Sequence, residues 1–211
     1  MPPIRSELTD QYLATVKPPA GDLVEEQEAQ ADEEGIPIAA REVARFQAGL
    51  ARSTDADRAL EFGTAIAYST IQVAKTGTEV VTIERDPQRI ADATDYIERA
   101  GVGDRIDLVE GDCLPALDEI EGPFDLVFLD AAKTEYPEYL DRSLPMLRSG
   151  GIVLVDNALW GGRVPEAEAT GEFADEETEV LHEFNRAFVH HDQLDAVITP
   201  IDDGIGFGVK R

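Results

Sequence analysis

The sequence predicts an α/β fold, a doubly wound and mostly parallel sheet with an antiparallel last strand and an N-terminal helical lead-in. Three observations predict it. From Ala59 onward short apolar runs alternate with amphipathic helical patterns, and strands that are apolar nearly throughout are those covered on both faces. The chain has 211 residues, enough to bury a full core, and 43% of them are hydrophobic. No repeat and no low-complexity linker divides it. Residues 1–211 are therefore expected to form a single domain, with a lead-in over 1–50 and the sheet over 51–211.

The acidic stretch from Asp22 ends at Gly35, and after Pro37 the apolar positions Ile38, Val43, Phe46 and Leu50 recur at helical spacing. A helix there is expected to pack on the segments after it in the chain. ALEF, residues 59–62, reads as the first strand, Gly63-Thr64 as a turn, and Tyr68-Ser69 as the opening of a helix. EVVTIE, residues 79–84, is the second strand. Asp86-Pro87 then supplies a cap and a first-turn proline, and Ile90, Ala93, Ile97 and Ala100 make one stripe before Gly101 ends the helix. RIDLVE (105–110), FDLVFLD (124–130) and GIVLVD (151–156) continue the sheet. QLDAVITP and IGFGVK flank Asp202-Asp203-Gly204 and read as two strands joined by a turn, an antiparallel edge.

Composition narrows the partners. Forty-four acidic residues against eighteen Lys plus Arg give a net charge of −26, a field that repels phosphate backbones and anionic lipid headgroups. Nucleic acid and membrane surfaces are excluded as expected partners. Only Lys17, Lys75, Lys133 and Lys210 are lysines, and this acidic, lysine-poor surface is similar to that of salt-adapted proteins from halophilic archaea. The single cysteine, Cys113, excludes an internal disulfide and a thiolate zinc cluster. No apolar run approaches a membrane span, so a cytoplasmic protein is expected.

In such sheets ligands bind beyond the carboxyl ends of the strands, so the residues ending each apolar run carry the chemistry. Gly63 begins a turn after the first run, and Glu84 ends the second. A glycine turn followed about twenty residues on by an acid suits a ribose-bearing ligand whose hydroxyls meet the carboxylate. The full G-x-G-x-x-G is missing, with Ala67 where a later glycine is expected. Pyrophosphate needs that bare backbone, so S-adenosylmethionine fits better than NAD, although a nicotinamide-dependent oxidoreductase and a non-catalytic nucleoside- or metal-binding module stay open. Asp130 ends the fourth run, with Lys133 three residues on, and Asp156-Asn157 end the fifth. Two carboxylates and an amide oxygen make an all-oxygen set, which suits a hard cation such as Mg²⁺, or Mn²⁺ or Ca²⁺, better than zinc.

Taken together, ALEFGTAIAYS, VVTIERDP, Gly111-Asp112, FDLVFLDAAKTEY, LVDNALWGG and PIDDGIGFGVKR resemble the cation-dependent O-methyltransferases of the catechol and caffeoyl-coenzyme A type, over residues 36–211. The resemblance implies the seven-stranded S-adenosylmethionine-dependent methyltransferase fold, an aromatic hydroxyl acceptor and a homodimer. It implies that Glu61, Gly63, Thr64 and Ser69 surround the methionine end of the cofactor, that Glu84 holds the ribose, and that Asp112 and Cys113 border the adenine. Ile38 is expected to touch the cofactor, and Asp130 to serve both cofactor and metal. Asp130, Asp156 and Asn157 become the metal ligands and Lys133 the catalytic base. Ala67 departs from the family's glycine, adding one methyl group that is expected to displace the turn or weaken cofactor binding.

A phenol with a pKa near 10 is only about one part in a thousand oxyanion at pH 7. A dication and a nearby ammonium both reduce that handicap. Trp160 reads either as a wall over the acceptor or as a loop anchor, and residues 163–175 as a loop over the site. Tyr136 and Tyr139 read as core or interface residues, and His182, His190 and His191 as surface residues on a C-terminal helix.

Overall fold

The computed structural model describes residues 7–17 and 19–211, and the chain divides into two compact units between Ile36 and Pro37. The first carries helices α1 (Glu7–Thr15) and α2 (Asp22–Glu34). Asp22 and Glu25 sit in the first turn of α2, where the helix dipole favours carboxylates, and Gly35 closes it in the left-handed conformation at φ 66°.

The second unit begins with α3 (Arg41–Ser53), which the sequence pattern assigns to the lead-in. Its buried face is Val43, Ala44, Gln47 and Ala51, with Phe46 half-buried and its ring 6.5 Å from that of Phe207. The sheet strands are β1 (Arg58–Phe62), β2 (Glu79–Glu84), β3 (Ile106–Glu110), β4 (Phe124–Leu129), β5 (Leu147–Val155), β6 (Leu194–Thr199) and β7 (Ile205–Lys210). They form one seven-stranded sheet in the order β3-β2-β1-β4-β5-β7-β6. Strands β1 to β5 pair in parallel, whereas β7 runs antiparallel to both β5 and β6. The reversed strand thus exists as expected but lies one place in from the edge. Gly206 and Gly208 allow this, because a Cβ at either would stand 3.1 Å from the Phe188 ring.

Successive buried residues along β1 and β4 show that both sheet faces are covered. The helices α4 (Tyr68–Ala74), α5 (Pro87–Ala100), α6 (Cys113–Ala116), α7 (Tyr136–Ser143), α8 (Arg163–Thr170) and α9 (Glu176–Val189) complete the unit. Asp86 caps α5 by accepting from the Gln88 and Arg89 N–H groups, Pro87 occupies its first turn, and Gly101 ends it at φ 69°. Aromatic rings fill the core beneath the strand ends. Phe62 stacks on Tyr139 with centroids 4.6 Å apart, and Tyr136 meets Phe184 edge-on at 5.7 Å. Burying rings of this size contributes about 2–3 kcal/mol each, which fixes the helix after Lys133 against the sheet.

Candidate active site

Backbone pairing runs one residue past the strand ends and assembles the site. The Asp130 N–H donates to the Phe62 carbonyl at 3.1 Å and the Asp156 N–H to that of Leu129 at 3.0 Å. Gly63 and Thr64 both donate to the Ile83 carbonyl at 3.1 Å. The residues that follow β1, β2, β4 and β5 therefore gather at one rim. Between β1 and β4 the connections diverge, which opens the crevice where such sheets bind ligands. A cavity of about 450 Å³ lies there.

Gly63 and Thr64 line it from β1, and Ser69 from α4. Gly63 cannot be replaced: its φ is +92°, and a Cβ would stand 2.3 Å from the Asp130 carbonyl oxygen. Glu84 lines the cavity too, but its carboxylate is already tied down. Oε2 accepts from the Ala65 N–H at 2.8 Å, and Oε1 from the Arg85 and Asp86 N–H groups at 2.9 and 3.0 Å. One carboxylate thus links the β1 turn to the end of β2. Asp112 and Cys113 line the same end. Arg85 reaches Asp112 at 3.1 Å, and burial pushes the Cys113 thiol up to about 11. Ile38 lines the cavity beside Pro37 and Ala39.

Glu61 does not line it. The side chain is buried behind the wall, where Oε1 accepts from the Ser69 hydroxyl at 2.6 Å and Oε2 from the hydroxyls of Thr82, at 2.9 Å, and Thr70. Burial pushes this carboxyl up to about 7, and those hydroxyls oppose the rise. Glu61 reaches the cavity through Ser69 rather than by surrounding a cofactor itself. Ala67 is also fully buried and off the cavity wall. It holds φ 60° and ψ 30° at the start of α4, so the turn keeps the left-handed shape a glycine would take, at a cost of about 1 kcal/mol or more.

The remaining wall carries Asp130, Lys133, Asp156 and Asn157. Lys133 lies on a 3₁₀ turn (Lys133–Glu135) directly before α7. Its Nζ donates to Asp130 Oδ1 at 3.0 Å and to the Tyr136 hydroxyl at 2.7 Å, and that hydroxyl donates to the Asp156 carbonyl at 3.3 Å. Tyr136, expected only as a core or interface residue, is therefore the strut between the lysine and the end of β5. Burial pushes both carboxyls above the usual range; Lys133 opposes this at Asp130, and the charge of Asp130 adds to it at Asp156. Two carboxylates in a poorly hydrated setting, with one ammonium bonded to Asp130, are short of positive charge, which a dication would supply. Among the described residues no three His, Cys, Asp or Glu side chains form a metal-holding group. The donor set that could hold a cation is thus two carboxylates and the Asn157 amide.

Asn157 sits at φ 57°, and the turn between β6 and β7 holds the loop that follows it. Ala158 N–H donates to the Gly204 carbonyl at 2.9 Å and Leu159 N–H to that of Asp203 at 2.8 Å. The Asp203 carboxylate accepts from the Gly161 N–H at 2.6 Å and from Asn157 Nδ2 at 3.5 Å. Gly204 has no room for a side chain, since a Cβ would meet Leu159 at 2.4 Å. The sequence marked Asp203 only as a turn residue, and nothing local to DDG signals a contact 46 residues away. Trp160 lines the cavity on this loop, its ring centroid 5.9 Å from Lys133 Nζ. His182 pairs with Glu168 at 2.6 Å, and neither it nor His190 or His191 lines the cavity.

The family model described as O-methyltransferase matches residues 21–211. The chain belongs to the O-methyltransferase family. It is 32% identical to a probable caffeoyl-CoA O-methyltransferase of Arabidopsis thaliana, over 75% of this chain and 78% of the relative. It is 39% identical to a catechol O-methyltransferase of Mycobacterium tuberculosis, over 57% of this chain and 56% of that one. Among solved structures, an O-methyltransferase from Bacillus cereus in complex with S-adenosylhomocysteine superposes with a TM-score of 0.83 at 26% identity, covering 96% of this chain and 97% of that one. Membership makes this an S-adenosylmethionine-dependent enzyme and sets aside the nicotinamide-dependent reading.

Proposed function

We propose that the cavity is where a methyl group passes from S-adenosylmethionine to a hydroxyl of a catechol-like aromatic acceptor, with Asp130, Asp156 and Asn157 holding a divalent cation such as Mg²⁺. The observation that carries the reading is the pair of carboxylates at adjacent strand ends, Asp156 buried and Asp130 held by Lys133, which line one cavity with Asn157. The names of the relatives, which pair caffeoyl-CoA and catechol with this family, support the acceptor class.

The cofactor when bound supplies an electrophilic methyl group, and the cation lowers the pKa of an oxygen ligand by several units. The chain's own residues do the rest. Gly63, Thr64 and Ser69 form the floor against which the methionine end rests, Glu84 receives the ribose hydroxyls, and Asp112 and Cys113 border the base. Lys133 Nζ, fixed by Asp130 and Tyr136, would take the acceptor's hydroxyl proton as the neutral amine, and as the resulting ammonium would donate to the oxyanion that remains. Trp160 limits where the acceptor ring can lie, so that one of two neighbouring oxygens faces the methyl group. A methyl-transfer assay with catechol, followed by mass spectrometry with Mg²⁺ and with chelator, tests the reading. Monomethylated product is expected with the metal alone, and its absence under both conditions would overturn the acceptor assignment.

A further inference from the structure

The 3₁₀ turn that carries Lys133 ends at Glu135, a half-buried residue that also lines the cavity. Its Oε2 accepts from the Tyr139 hydroxyl at 2.5 Å, and among the described residues no hydrogen bond reaches Oε1. One oxygen is thus fixed and the other is a free acceptor. Contacts along α7 bring this carboxylate to the end of the cavity bounded by Cys113. Tyr139 is stacked on Phe62 at 4.6 Å, and Arg142 clamps α7 to α6 by donating to the Leu114 carbonyl at 2.6 Å and to Asp118 at 2.5 Å. Arg85 and the Cys113 thiol both lie within the field of the Glu135 carboxylate. The other charged side chains at this end are engaged or of the wrong kind to accept. Both oxygens of Glu84 take backbone N–H groups, and Asp112 is paired with Arg85 at 3.1 Å with its side chain 63% exposed to water. Arg85 and Arg89 carry donors only.

We infer that Glu135 reads the base of the cofactor, accepting on Oε1 from the exocyclic amino group of adenine and disfavouring a purine that carries a carbonyl there. The inference rests on the proposed function, which sets the base beside Asp112 and Cys113. An amino group offers the donor that Oε1 lacks. A carbonyl in its place would set two acceptors against each other, and a site built around one hydrogen bond rejects the analogue that cannot form it. Tyr139 is the positioning residue of this arrangement, because its hydroxyl holds the carboxylate and its ring is fixed on Phe62.

Calorimetric titration with S-adenosylhomocysteine and with S-inosylhomocysteine, in which a carbonyl replaces that amino group, tests the inference without turnover. The wild type is expected to bind the adenosyl compound about ten- to a hundredfold more tightly, the size of a hydrogen bond to a charged group. In Glu135→Gln the amide oxygen can still accept from Tyr139, which turns the amide N–H groups toward the base, and the ratio of the two affinities falls to about one or inverts. Asp112→Asn is expected to change both affinities together and to keep the ratio. Equal binding of the two compounds by the wild type, a ratio unchanged in Glu135→Gln, or a ratio lost in Asp112→Asn alone would overturn the inference. If neither compound binds, the placement of the cofactor fails and the inference with it. If the preference holds while catechol is not methylated, the acceptor reading fails and the base reading stands.

Discussion

Lys133 holds the most demanding position of any single residue, since its ammonium joins Asp130 to the Tyr136 hydroxyl at the edge of the cavity. Lys133→Ala is expected to leave S-adenosylhomocysteine affinity unchanged in calorimetry while lowering kcat at least tenfold, within the usual range for losing a general base; undiminished kcat would remove it from the mechanism. Glu61 makes a different prediction. Its folded carboxyl stands at about 7 against an ordinary 4.5, because burial disfavours the anion. The folded state thus holds a proton that the unfolded chain has released. The stability linked to it is complete below about pH 4.5 and is lost as pH rises through about 7, at most about 3 kcal/mol. The Tm of Glu61→Gln relative to wild type should therefore rise between pH 5 and 8 (about the window set by those two values); a constant difference would contradict it.

Among the elements, the turn between β6 and β7 has a role beyond joining two strands, because Asp203 and Gly204 hold the loop that bears Asn157 and Trp160. Asp203→Ala removes the bonds to Gly161 and Asn157. If Asn157 is a metal ligand as proposed, this should weaken Mg²⁺ about ten- to a hundredfold, and weaken S-adenosylhomocysteine much less in parallel titrations. Equal losses for both would point to general damage to the fold. The strands and α5 were legible because local chemistry decides them: apolar runs make buried strands, and Asp86, Pro87 and Gly101 punctuate a helix. The strand-end residues Gly63, Glu84, Asp130 and Asp156 were legible for the same reason, since each follows an apolar run. The place of β7 inside the sheet was not, because strand order depends on pairing between distant segments. Glu61, which the resemblance sets around the methionine end of the cofactor, bonds the Ser69 hydroxyl that lines the cavity, a relation between strand and helix that no local pattern announces. Tyr136 and Asp203 escaped because their partners lie 20 and 46 residues away.

Over the whole molecule, a net charge of −26 opposes compaction, and ions screen that repulsion. Raising NaCl from about 0.1 to 1 M shortens the screening length from about 10 to 3 Å and should raise Tm by several degrees; a Tm that falls would show that self-repulsion does not limit stability. The sheet holds the ends of β1, β2, β4 and β5 at one rim, around one cavity. The proposed methyl transfer needs Asp130, Asp156 and Asn157 to act together on a single cation. Calorimetric titration of Mg²⁺ into the protein with S-adenosylhomocysteine bound, for wild type and Asp156→Ala, tests this most directly. One site per chain that vanishes in the variant is the predicted result; the same binding isotherm in both would contradict it.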